Sequence, residues 1–235
     1  MMLIGSMINA LLIIIGSTIG LILKGIPEKM KTTVLSIIGL SLVVLGVQMG
    51  METTNFIYVL ISIVVGGVIG EWLDVEKQFF RFGKWIETKI GKQSSERSIV
   101  EGFINATLFF IIGSMGILGA LDSGIRNDHS VLISKGIIDG FTAVVLASTL
   151  GIGVMLAAIP LFLYQGTITL LAGIISKYLP EAALNLFIQE MTATGGIMIL
   201  AIGLNIAGLT KIRVANLLPG IIVVGILVTI IFLFQ

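Results

Sequence analysis

Eight apolar runs constrain this chain more than any other feature. They cover residues 3–23, 33–50, 56–73, 102–121, 132–151, 154–176, 184–207 and 214–234. A helix rises 1.5 Å per residue, so about 20 apolar residues cross a hydrocarbon core of about 30 Å. Lipid offers no partner to an open backbone N–H or C=O, which leaves helices or closed barrels as spanning elements. Barrel strands would alternate at period two over about ten residues, and these runs do not. Charged residues make up only 11% of the chain and hydrophobic residues 56%. A soluble domain carries roughly a quarter charged residues. The pattern predicts an all-α polytopic membrane protein with about eight transmembrane helices. Gly151, Ile152 and Gly153 alone separate the fifth and sixth runs, and Pro160 offers a second point of interruption in the sixth. The first run has no basic residue before it and no small-residue cleavage site before Lys24, so it reads as a mature span rather than a signal peptide.

The basic residues orient these spans. With eight crossings, Lys24, Lys29, Lys31, Lys77, Arg81, Lys84, Lys89, Lys92, Arg97, Lys211 and Arg213 fall on one side. Only Arg126, Lys135 and Lys177 fall on the other. The positive-inside rule then places the richer side in the cytoplasm and both termini outside. The one long polar stretch, 74–100, carries Val75, Phe79, Phe82, Ile86 and Ile90 at helical spacing, with Trp85 and five basic residues around them. That pattern predicts an amphipathic connector on the cytoplasmic leaflet, either in the membrane plane or packed on the loops.

Parts of the chain repeat. Ile8-Asn9-Ala10 with Gly16-Ser17 recurs as Ile104-Asn105-Ala106 with Gly113-Ser114. Gly39, Val43-Val44-Leu45 and Gly50 recur as Gly140, Val144-Val145-Leu146 and Gly151. Each copy holds three spans, an odd number, so the second copy enters the membrane from the opposite face. A 3+3 inverted repeat of this kind occurs in many secondary transporters. Four segments follow: a first repeat over 1–73, the connector over 74–100, a second repeat over 101–176, and two C-terminal helices over 177–235. The seventh run echoes the second, with Gly196 and Gly203 spaced as Gly39 and Gly46 are.

Further sequence blocks carry a family resemblance. They are Asp139-Gly140-Phe141-Thr142-Ala143, Ser148-Thr149-Leu150-Gly151-Ile152-Gly153-Val154, Tyr164-Gln165-Gly166, Glu190 with Gly195-Gly196, Asn216-Leu217-Leu218-Pro219, and the segment from Gly5 to Gly20. Through them, over nearly the whole chain, the protein resembles the YdfK/YqgA-type bacterial membrane proteins, a family defined by domain of unknown function 554. The resemblance implies an integral protein of the bacterial cytoplasmic membrane. It implies no activity and supplies no functional residues, so the candidate site rests on physical chemistry.

Ionisable groups inside the bilayer cost about 2.5–3.5 kcal/mol at a helix centre and so point to function. Asp139 is one, with Lys135 one turn earlier on the same face. It reads either as an acid lining a hydrated path or as half of an i,i+4 pair at the span's end. Glu190 is the other, in a polar patch with Gln189, Thr192 and Thr194 before Gly195-Gly196. Carboxylate and hydroxyl oxygens there could hold a hard cation or polar solute, or simply start a helix at the interface. Asn9, Asn105, Gln165, Thr142 and Asn205 are further candidates for the path, against the plainer reading of hydrogen bonds between helices. Asp139 and Glu190 are expected to share one hydrated cavity.

Several function classes drop out. The chain has no cysteine, a single histidine in a polar stretch, and no Walker-type phosphate loop. No metal site, cofactor or catalytic residue is expected, and no enzyme. The net charge of +1 gives no field for nucleic acid. The expected partners are the lipid bilayer and a small cation or polar solute, and a homo-oligomer is compatible with the sequence. The expected function is a secondary transporter or channel-like permease, and the alternative is a non-transporting membrane scaffold or sensor.

Overall fold

The computed structural model describes residues 2–23, 28–79, 81, 96–178 and 180–233. Among these the regular structure is helical throughout, with no strand. The helices are α1 (Ile4–Ile22), α2 (Glu28–Gly50), α3 (Phe56–Leu73), α4 (Glu96–Ile111), α5 (Ser114–Ile125), α6 (Ser130–Leu150), α7 (Gly153–Leu156), α8 (Ala158–Tyr178), α9 (Glu181–Ile206) and α10 (Pro219–Leu233), with a 3₁₀ turn at Val214–Leu217.

Six stretches are long and apolar enough to cross a membrane: Ile4–Ile22, Phe56–Leu73, Ser130–Leu150, Gly153–Lys177, Glu181–Ile206 and Val214–Phe232. A seventh span is reached if Ile99–Ile111 and Met115–Ile125, bent by 60°, count as one. The remaining run falls in α2, whose apolar part, Leu35–Gly50, is shorter. At 1.5 Å per residue that part covers about 24 Å, less than the hydrocarbon thickness. The protein is therefore an all-α polytopic membrane protein, with six to seven spans among the described residues by length and composition. Large apolar side chains such as Ile15, Val44, Val68, Phe141 and Ile222 are exposed, as a lipid-facing surface requires.

Two of the runs are interrupted for identifiable reasons. The fourth is not one continuous helix. Helix α4 ends at Ile111, Gly113 takes φ 132°, and α5 starts at Ser114. Only glycine adopts that φ without strain. Between the fifth and sixth runs, Gly151 (φ 79°) ends α6 and the single turn α7 follows before α8. Pro160 does not break α8. It is that helix's third residue, where a missing N–H leaves no bond unmade.

The chain forms two compact units that cut across the four sequence segments. The first contains Met1–Ile26 and Phe80–Leu179; the second contains Pro27–Phe79 and Pro180–Gln235. The first repeat thus gives α1 to one unit and α2 and α3 to the other. In the first unit α1 lies parallel to α6 with backbones in contact. Asn9 is level with Gly136 and Gly16 with Gly140, and a Cβ on Gly16 would stand 2.1 Å from the Gly140 carbonyl oxygen. In the second unit α2 and α9 pack antiparallel through the very glycines whose spacings echo each other. Gly39 meets Gly203, and Gly46 meets Gly196. Helix α3 meets α10 the same way, Gly66 against Gly220. Without a hydrophobic drive between helices in lipid, such close approach lets dispersion hold the pair.

Most of the expected amphipathic connector, including Phe82, Trp85, Ile86 and Ile90, lies outside the described residues. Residues 75–79 are helical.

Candidate functional site

Helix α6 carries the charged centre of the first unit. Asp139 is its tenth residue, about 14 Å along the axis. Lys135, one turn earlier, lies on the same face. Both are buried, at 6% and 3% exposure for Lys135 and Asp139. The Lys135 ammonium donates to Asp139 Oδ2 and, over 2.9 Å, to the Phe110 carbonyl. That second bond follows from the break after α4. In a continuous helix the Phe110 carbonyl would accept from the N–H four residues on. The turn at Gly113 removes that donor, and Lys135 takes its place.

Two amides complete the cluster. Asn9 of α1 and Gln165 of α8 are fully buried. Asn9 Nδ2 donates to Gln165 Oε1 over 3.3 Å, and the Asn9 amide also neighbours the Asp139 carboxyl. Among the described residues, Asn9 Oδ1 and Gln165 Nε2 have no hydrogen-bond partner, nor do the buried hydroxyls of Ser6, Ser17, Thr107, Tyr164 and Thr169 in the same unit. Gly116, in the first turn of α5, faces the cluster. A Cβ there would lie 3.6 Å from Lys135 Cε and 3.8 Å from Gln165 Nε2.

Glu190 occupies the second unit, also tenth in its helix and fully buried. Its Oε1 accepts from the Thr54 backbone N–H (2.9 Å) and the Thr54 hydroxyl (2.6 Å), and its Oε2 accepts from the Thr53 hydroxyl. Beside it, Gln189 donates to the Glu52 carbonyl over 2.6 Å. The pair ties the α2–α3 turn to α9, while the Asn55 side chain caps α3 by accepting from the Ile57 N–H.

The expected site residues thus divide. Asp139, Asn9 and Gln165 come together in the first unit with Lys135. Asn105 is half-buried in α4 of that unit. Thr142 donates to Ile138 within its own helix (2.9 Å), so its hydroxyl is spent locally. Glu190 and Thr194 belong to the second unit, where Thr194 is fully buried with no hydrogen-bond partner for its hydroxyl among the described residues. Asn205 clamps the loop after α9. Its side chain donates to the Ile212 carbonyl (2.7 Å) and accepts from Thr210 (2.7 Å) and the Ile212 N–H (2.9 Å).

The sequence reading missed the Phe110 carbonyl, Gly116, Thr53 and Thr54. Gly113-Ser114 inside an apolar run was the available signal for the first two. The Thr-Thr-Asn sequence after Gly50 marked a turn but not its distant partner. It also missed an ion-pair hub at the end of α3. Arg213 pairs with Glu71 (2.7 Å), Asp74 and Glu76 (3.7 Å). The hydrogen bond to Asp74 pushes the Arg213 guanidinium further above its ordinary value. Burial raises the Glu76 carboxyl, with Arg213 pulling it down.

Comparison with known proteins adds the family and no chemistry. The chain is 34% identical to the "Uncharacterized membrane protein YdfK" of Bacillus subtilis (strain 168), over 98% of this chain and 97% of that protein. It is 30% identical to the "Uncharacterized protein YqgA" of Escherichia coli (strain K12), over 94% of each. No solved structure matches it. Residues 4–229 match the family described as "Protein of unknown function (DUF554)", and with these two relatives along nearly its full length the chain belongs to the DUF554 family.

Proposed function

We propose that this protein is a secondary transporter or channel-like permease of the bacterial cytoplasmic membrane, with both termini outside, passing a small polar solute or cation through the first unit. One observation carries the reading: a broken helix, α4–α5, with the buried Lys135–Asp139 pair bonded to its freed Phe110 carbonyl. Discontinuous spans place backbone dipoles at substrate sites in many transporters, and ionisable groups at membrane depth mark pathways. The two unsatisfied amide atoms beside the pair supply a donor and an acceptor for a polar solute. The acid is compensated by Lys135, so the cluster itself carries no net charge.

A second reading, a non-transporting scaffold or sensor, has support of its own. Glu190 and Asn205 are spent on stapling loops, as packing groups are. Reconstitution separates the two. Purified protein in liposomes, read by pH-sensitive dye and by membrane current, should show flux that Asp139→Asn abolishes while the variant remains folded. Absence of any protein-dependent flux of protons, alkali cations or small polar solutes would leave the scaffold reading.

A further inference from the structure

We propose that the first turn of α5, Gln165 and Lys135 together bind the carboxylate group of a small organic acid. The inference takes its setting from the permease reading above and names the class of solute.

Three features of the first unit meet at Gly116. The first is the N-terminus of α5, a helix of twelve residues whose N-cap, Gly113, supplies no capping side chain. Its leading N–H groups carry the positive end of the helix dipole and favour an anion. The second is Gln165 Nε2, fully buried and without a hydrogen-bond partner among the described residues, pointing at the same turn. A buried amide donor left unpaired costs free energy, so a native site supplies it with an acceptor. The third is Lys135, whose Cε stands beside Gly116 and whose ammonium has a third proton beyond those given to Asp139 and Phe110.

The amide orientation follows the Asn9–Gln165 hydrogen bond. Asn9 Nδ2 accordingly faces Gln165 Oε1, and the NH₂ of Gln165 is turned to Gly116. The Gln165 NH₂ and the Lys135 ammonium bring donors to that turn, and the Ile111 carbonyl oxygen lies 3.8 Å from the same would-be Cβ. An oxyanion fits, and charge selects which. Lys135 is neutralised by Asp139, so a bound anion adds net negative charge to a buried site, offset only in part by the helix dipole. A doubly charged phosphate would add two such charges against a carboxylate's one, at a higher cost of burial. A monovalent carboxylate is the match.

Gly116→Ala is the decisive variant. The added methyl would meet nothing closer than 3.6 Å, so the fold accommodates it, and alanine is the better helix former. It would nevertheless occupy the position against Gln165 Nε2 where the carboxylate oxygen docks. Thermal unfolding and calorimetric titration of the full chain in detergent, with acetate and lactate as probes and chloride and phosphate at matched ionic strength, test the site. Wild type should be stabilised by the carboxylates above chloride and above phosphate. Gly116→Ala should keep the melting temperature of the ligand-free protein and bind the carboxylates about tenfold or more weakly. Gln165→Leu should also lose binding. Carboxylates acting no differently from chloride, phosphate binding more tightly than carboxylates, or Gly116→Ala binding like wild type would each overturn the proposal. Flux of another solute in liposomes without carboxylate binding overturns it and leaves the permease reading standing. Carboxylate binding without flux supports it and removes that reading.

Discussion

Glu190 accepts three hydrogen bonds from a turn more than a hundred positions away in sequence, and its burial is tolerable for that reason. Truncating it leaves the Thr54 N–H and both hydroxyls without their acceptor inside the protein. Glu190→Ala is therefore expected to cost about 3 kcal/mol, and Glu190→Gln, which keeps one acceptor, about 1 kcal/mol. Denaturant titration in mixed micelles reads both, and equal, negligible losses would show that the turn does not depend on the carboxylate. The contrast with Asp139 shows what a sequence can disclose at this scale. Lys135 sits one helical turn from Asp139, so their pairing follows from helix geometry. The Thr53 and Thr54 donors are brought to Glu190 only by the packing of α2 and α3 on α9.

The helices themselves associate through absent side chains. Gly16 of α1 touches the Gly140 backbone, so Gly16→Ala would place a methyl 2.1 Å from a carbonyl oxygen that cannot swing away. The helices must separate, at a cost of about 3 kcal/mol or more. Gly173, exposed in α8, has nothing within 4 Å of a would-be Cβ. Gly173→Ala should be neutral or stabilising by up to about 1 kcal/mol. Thermal unfolding of the two variants side by side checks the contrast, and similar melting temperatures would contradict the α1–α6 contact. Small-residue spacing in α1, α2 and α9 was visible in the sequence. The Gly39/Gly46 and Gly196/Gly203 spacings echo each other in the sequence, and in the structure these glycines meet across an antiparallel helix pair. The interruption at Gly113 was hidden in an apolar run because hydropathy does not register a single backbone torsion.

For the whole molecule, the basic asymmetry makes a prediction about orientation. A cysteine replacing exposed Lys211 should be labelled only from the cytoplasm, and one replacing exposed Arg126 only from outside. The native chain has no cysteine to interfere, and labelling of position 211 from outside refutes the orientation. The membrane class and all-helical character were determined by the sequence alone, because both follow from local quantities: the apolar length of each run and the need of each backbone to satisfy itself in lipid. The Lys135–Asp139 pair was local too. Tertiary structure decided which runs join into each unit, with α1 leaving its neighbours α2 and α3 to pack with α6 and α8. It also decided that the Phe110 carbonyl meets Lys135 and that Gln165 meets Asn9 and Gly116. Apolar helices in lipid have no hydrophobic preference among partners, so pairing is set by backbone approach and a few buried polar atoms distant in sequence.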